Sequence, residues 1–145
     1  MELSVKKASL NDFEDLKFIQ NHNEILLPFK SIEEDLLNTN KMYLIAKNYN
    51  LIIGYIACDI NSDHADITAL LVDKTFRNLS VATTLINHLI FYLEKDSIKE
   101  IFLEVRSSNT KAINLYTKLG FKFVSKRANY YSDDDAFVYK YTSNQ

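Results

Sequence analysis

A single cysteine, Cys58, excludes an intrachain disulfide and any cluster of thiolate metal ligands. It lies among Ile56, Ala57 and Ile60 in a strand-like run, where a thiol reads as a small core residue rather than a nucleophile. Only two glycines occur, Gly54 and Gly120, so there is no glycine-rich dinucleotide loop and no P-loop. Charge of one sign is also missing. With 17 basic against 19 acidic residues the net charge is −2, too balanced for a general basic field that would hold nucleic acid or an anionic membrane. The apolar runs, such as Leu51 to Cys58, are too short for a membrane span, and the start Met-Glu-Leu-Ser-Val-Lys-Lys lacks a hydrophobic signal core. A cytoplasmic protein is expected. The three histidines, His22, His64 and His88, fall in a loop, a turn and a helix without metal-ligand spacing, so no metal is expected.

What is present is a large apolar fraction, 47% of 145 residues, with nine Tyr and nine Phe and no internal repeat or linker. One domain over residues 1–145 is the expectation. Leu3 to Lys7 alternates as a strand, and Ser9-Leu-Asn-Asp12 reads as a capping box opening a helix with Phe13, Leu16 and Ile19 on one face. Pro28 interrupts the segment 21–30, whose apolar Ile25, Leu26 and Phe29 either cover a substrate as a lid or pack between helices. Ser31-Ile-Glu-Glu34 reads as a second capping box starting a short helix. Strands at Met42 to Ala46, Leu51 to Ile60 and Asp66 to Val72 follow, joined by polar turns and expected to be antiparallel. Val81, Leu85, Leu89 and Tyr92 mark a long helix ending near Lys95, and Lys99 to Val105 then completes a β-α-β unit with parallel strands and a right-handed crossover. A helix from Asn109 to Leu119 stops at Gly120, and strands Phe121 to Ser125 and Asp135 to Tyr141 close the chain around a polar, tyrosine-bearing loop. The order β-α-α-β-β-β-α-β-α-β-β fits one mixed sheet with helices on its faces.

The stretch Leu103-Glu-Val-Arg-Ser-Ser-Asn-Thr-Lys-Ala-Ile-Asn-Leu-Tyr-Thr-Lys-Leu-Gly-Phe121, with Arg127-Ala-Asn-Tyr-Tyr131 and Asp135-Ala136 beyond it, resembles the bacterial ribosomal-protein-alanine N-acetyltransferases of the GNAT superfamily. The resemblance runs from about Asp66 to Val138. It implies an α/β (α+β) GNAT fold, with a mixed, mostly antiparallel central sheet flanked by helices on both faces. It also implies acetyl-CoA as co-substrate and, as acceptor, a protein N-terminal α-amine, in the narrowest form the N-terminal alanine of a ribosomal protein. The enzyme is expected to act as a monomer, on a protein partner and on neither nucleic acid nor membrane. A lysine or a small-molecule amine remains open as acceptor, and so does a non-catalytic acyl-CoA-binding module.

The residues carry their own readings beside this one. The turn Phe76-Arg-Asn-Leu-Ser-Val-Ala82 leads from strand to helix, where unpaired N–H groups and a positive dipole end suit a phosphate. The resemblance makes Arg77, Asn78, Leu79, Ser80, Val81, Ala82 and Thr83 the pyrophosphate-binding turn, with Ser80 standing where glycine is usual. It also makes the main chain of Leu70, Leu71 and Val72 the partner of pantetheine, in a cleft between that strand and Ile101 to Val105, and gives Asn109 a cofactor contact besides its reading as a helix cap. Glu104 reads either as the ion-pair partner of Arg106 on a strand covered on both faces, or as a general base for an amine of pKa about 8. Tyr116 reads either as core or as the acid that protonates the leaving thiolate. Tyr130 and Tyr131 flank the acceptor or cover the last hairpin, and the acidic run ending at Asp135 is either a solvated loop or an attractor of a basic acceptor.

Overall fold

The computed structural model describes residues 1–23, 29–77 and 80–144. Its strands are β1 (Leu3–Lys7), β2 (Lys41–Asn48), β3 (Leu51–Asn61), β4 (His64–Val72), β5 (Glu100–Arg106), β6 (Lys122–Tyr131) and β7 (Asp134–Thr142), and its helices α1 (Phe13–His22), α2 (Phe29–Leu36), α3 (Val81–Lys95) and α4 (Thr110–Lys118). The seven strands form one sheet in the order β1-β2-β3-β4-β5-β7-β6. Every neighbouring pair is antiparallel except β4 and β5, which are parallel as the intervening helix requires. The element order read from the sequence is thus the observed one.

Alternation along the strands sorts their side chains onto two faces. Leu44, Ile53, Ile56, Ala65, Ile101 and Leu103 meet Val81, Leu85, Leu89 and Leu93 of α3, with Ile113, Leu115 and Tyr116 of α4 packed against the same cluster. Tyr43, Ile45, Ile52, Tyr55 and Leu71 meet Leu16 and Ile19 of α1 and Ile32 of α2 on the other face. Helices therefore flank both faces, but not evenly. The contacts of α1 and α2 with the sheet concentrate on β3 and β2. Among the described residues that face is open over β5, β7 and β6, and Phe102, Glu104 and Arg106 point into it while Ile101, Leu103 and Val105 are buried. A covered environment for Glu104 is accordingly corrected, because the two early helices end their packing at the other half of the sheet.

Two further expectations change. Ser31 does not cap α2, which begins at Phe29, so Ser31 lies in its first turn; a proline just before a helix is as strong a start signal as the serine. The proposed loop Arg127 to Tyr131 is the second half of β6, leaving only Ser132 and Asp133 as the turn. Register shifts between Phe123 and Ser125 and between Arg127 and Tyr131, with Asn129 at a φ of 54°, erase the alternation that would have announced a strand. Asp12 does accept the Ser9 N–H at 2.9 Å, as the first capping box anticipates. The candidate lid residues Ile25 and Leu26 lie outside the described residues. Among the described residues no helix is long and apolar enough to cross a membrane.

Candidate active site

β4 and β5 start side by side and then part. Their parallel register holds for His64–Glu100, Ala65–Ile101 and Asp66–Phe102 only. Just beyond, β4 carries a bulge: Ala57 of β3 pairs with Ala69 and Cys58 with Ile67, so Thr68 is the extra residue. A bulge bends its strand and increases the local twist, which carries the end of β4 away from β5. The sequence contains no glycine or proline at Thr68 to announce it.

The gap exposes the free edge of β4. The bond from the Asp73 N–H to the Ile53 carbonyl, continued through the pairs Val72–Gly54 and Leu71–Tyr55, turns the main chain of Leu71 toward β3. The polar groups of Leu70 and Val72 therefore face the gap, and the Val72 carbonyl accepts a bond from Arg77 Nε at 3.0 Å. Gly54 lets the strands approach here, since a Cβ on it would lie 2.8 Å from the Leu71 carbonyl oxygen. Of the three residues expected to face pantetheine, Leu70 and Val72 have the right backbone direction and Leu71 does not.

Across the gap from that edge stand the starts of two helices. Ser80 caps α3 in the left-handed conformation, φ 66° and ψ 15°, which explains why the related pattern has glycine at this place. Its carbonyl accepts the Thr84 N–H at 3.0 Å and hydroxyl at 2.8 Å, so serine closes the turn despite its side chain. Asn109 caps α4 by accepting the Ala112 N–H at 3.2 Å. A cleft of about 630 Å³ is lined by Leu70, Leu71, Val72, Arg77, Ser80, Val81, Ala82, Thr83, Asn109 and Tyr116. A free strand edge facing two helix N-termini, in a cleft of this size, fits a long anionic thioester such as acetyl-CoA. Asn78 and Leu79 lie outside the described residues.

Tyr116 reaches this cleft from α4, held by a Schellman stop. The Gly120 N–H bonds to the Thr117 carbonyl at 3.1 Å and the Phe121 N–H to the Tyr116 carbonyl at 3.0 Å, with Gly120 at a φ of 100°. The Phe121 ring, fully buried, lies 6.0 Å from the Tyr116 ring and fixes its orientation. Burial raises the pKa of the Tyr116 hydroxyl, so it keeps its proton at neutral pH and can donate it. Burial pushes the Cys58 thiol up to about 12, which keeps it protonated at neutral pH.

On the opposite face of the sheet a second cavity, of about 650 Å³, is lined by Asp66, Thr68, Phe102, Glu104, Arg127, Tyr130 and Tyr131. Glu104 does not pair with Arg106. Its carboxylate lies 3.3 Å from Arg127 of β6, while Arg106 bonds Asp133 at 2.6 Å and stacks 4.2 Å from the Tyr131 ring centroid. The guanidinium of Arg106 is therefore already committed to the β6–β7 turn. Consecutive strand residues normally face opposite ways, yet Tyr130 and Tyr131 both line this cavity, because the backbone is bulged at Asn129. Their rings meet edge to face at 5.2 Å.

Each carboxylate of the acidic run holds the turn. Asp133 takes Arg106, Asp134 accepts from Ser107 and from Ser108, and Asp135 accepts the Asn129 N–H at 2.7 Å. Those serine bonds hold the Asp134 carboxyl at about 2. The turn behind the two tyrosines is thereby clipped to the loop that starts α4, a link invisible in the sequence because its partners are 26 and 27 residues apart.

Comparison with known proteins agrees with this geometry. The catalytic subunit NAA10 of the N-terminal acetyltransferase A complex of Arabidopsis thaliana is 35% identical over 92% of this chain and 74% of its own. The ribosomal protein bS18-alanine N-acetyltransferase of Escherichia coli K12 is 40% identical over a stretch covering 50% of this chain and 49% of its own length. A crystal structure of the ribosomal-protein-S18-alanine N-acetyltransferase from Escherichia coli superposes with a TM-score of 0.89, covering 99% of this chain and 95% of that one at 23% identity. The model of the acetyltransferase (GNAT) family matches residues 8–121. The chain belongs to that family and is an acetyl-CoA-dependent N-acetyltransferase.

Proposed function

We propose that the chain acetylates the N-terminal α-amine of a protein, in the narrowest reading the N-terminal alanine of a ribosomal protein. The observation that carries the reading is the gap between β4 and β5, with Tyr116 in the cleft on one face and Glu104 in the cavity on the other. Acetyl-CoA, when bound, supplies an acetyl thioester and a thiolate leaving group. The chain supplies the rest. Ser80 to Thr83 and Arg77 hold the phosphates, while Leu70 and Val72 offer main-chain groups to the amides and Asn109 lines the same cleft. Tyr130 and Tyr131 flank the entering N-terminus. Glu104 takes a proton from the α-ammonium, whose pKa is about 8, so that the free amine attacks directly. Tyr116 returns a proton to the departing sulfur.

Identity of 40% with the bS18-alanine enzyme, over a stretch covering half of this chain, supports the ribosomal acceptor. The broader match to NAA10, named as an N-terminal acetyltransferase catalytic subunit, favours a second reading within the same class, in which the acceptor is a protein N-terminus other than that of a ribosomal protein. We further propose that the enzyme acts as a single-domain monomer in the cytoplasm, where ribosomal proteins are made. Intact-mass analysis of ribosomal proteins incubated with enzyme and acetyl-CoA is the direct test. Gain of one acetyl group on an N-terminal alanine is expected; acetylation of lysine peptides or polyamines alone would overturn the proposal.

A further inference from the structure

Glu104 already has a cation beside it. The charged and titratable groups of its surroundings are Asp66 from β4, Arg106 from its own strand, Arg127, Tyr130 and Tyr131 from β6, and Lys140 from β7. Arg106 is taken by Asp133 and Lys140 by Glu100, at 3.1 Å. Asp66 is engaged by Asn61 at 2.9 Å. Arg127 alone, among the described ion pairs, reaches Glu104, at 3.3 Å, crossing β7 from the edge strand. Arg127 reaches it diagonally: Arg106 and Arg127 share a row with the small Ala136, two residues along from the row in which Glu104 pairs with Val138 and Val138 with Ser125.

We propose that Arg127 is a placeholder for the acceptor ammonium, occupying the cation position at Glu104 between turnovers and yielding it when the amine enters. This rests on Glu104 being the base. A guanidinium suits the part because it carries a fixed charge and gives up no proton, so it satisfies the carboxylate without becoming a nucleophile. Exchange of one cation for another leaves no unpaired charge against Phe102, Tyr130 and Tyr131 at any stage. The side chain is free enough to leave, being 56% exposed against 29% for Glu104. In the paired position the Tyr130 ring already lies 5.6 Å from the guanidinium carbon, so the cation keeps a partner when Glu104 lets it go. No bond forms or breaks in the exchange. Arg127 is therefore a positioning residue that competes with the acceptor for Glu104.

The test is steady-state kinetics with a peptide bearing a free N-terminal alanine. Arg127→Met is expected to lower the acceptor KM about two- to fivefold, the size of an exposed ion pair, with the KM for acetyl-CoA unchanged. Arg127→Lys should restore the acceptor KM, and the KM decrease should vanish in Glu104→Gln/Arg127→Met. A raised or unaltered acceptor KM in Arg127→Met would overturn the placeholder and leave the base assignment standing. Undiminished turnover in Glu104→Gln would overturn the base assignment itself.

Discussion

At the scale of single residues, the proposed mechanism divides the proton traffic between Glu104 and Tyr116 on the two faces of the sheet. Glu104→Gln should lower turnover at neutral pH by about 100-fold or more, the usual worth of a positioned base. The loss should shrink as pH rises past the α-ammonium pKa of about 8, where the acceptor sheds its own proton; a pH–rate profile of the variant checks this. Tyr116→Phe should cut kcat by about 100-fold while the affinity for acetyl-CoA, read by calorimetry, is kept. The places of Glu104 on a strand and Tyr116 on the following helix were legible in the sequence, because the stretch from Leu103 to Phe121 has strand and then helical periodicity. The partner of Glu104 was not. Arg106, two residues along the strand, is the neighbour that sequence suggests, whereas Arg127 meets Glu104 only because an edge strand folds back two positions away.

At the scale of elements, the β5–α4 loop and the β6–β7 turn behave as one piece through Asp134. Its folded pKa of about 2 lies below the ordinary carboxylate value, so its stabilising contribution is present above about pH 4 and is lost as pH falls through about 2. An NMR titration should place that carboxyl midpoint near 2, and Asp134→Asn should loosen Tyr130 and Tyr131 and, through Ser107 and Ser108, the loop that leads into Asn109. The stop of α4 makes a second test. Gly120→Ala forces a side chain into φ 100° and should cost about 1–2 kcal/mol, read as a lower Tm, and should lower kcat by freeing the Tyr116 turn. Gly120 was read correctly because a glycine after an apolar helical stripe has few other uses. The second half of β6 was missed because Arg127-Ala-Asn-Tyr-Tyr131 has no alternation, and the bulge that brings both tyrosines to one side is also what hides the strand.

At the scale of the whole molecule, the sheet is covered on one face by α3 and α4 and on the other, among the described residues, over its first half by α1 and α2. Element order was readable along the chain, since each periodic segment announces itself locally. Which half of a face a helix covers was not, because it depends on packing between segments far apart in sequence; the misjudged surroundings of Glu104 follow from that. The Thr68 bulge belongs to the same class, being visible only in the register of β3 against β4.

The parting of β4 and β5 has a kinetic consequence. In the proposed arrangement donor and acceptor approach the opening from opposite sides, so neither has to leave before the other arrives, and the buried Cys58 offers no way to park the acyl group between them. Double-reciprocal plots at several fixed acceptor concentrations should therefore intersect rather than run parallel. CoA should inhibit competitively against acetyl-CoA, and a dead-end peptide lacking a free amine should do so against the acceptor.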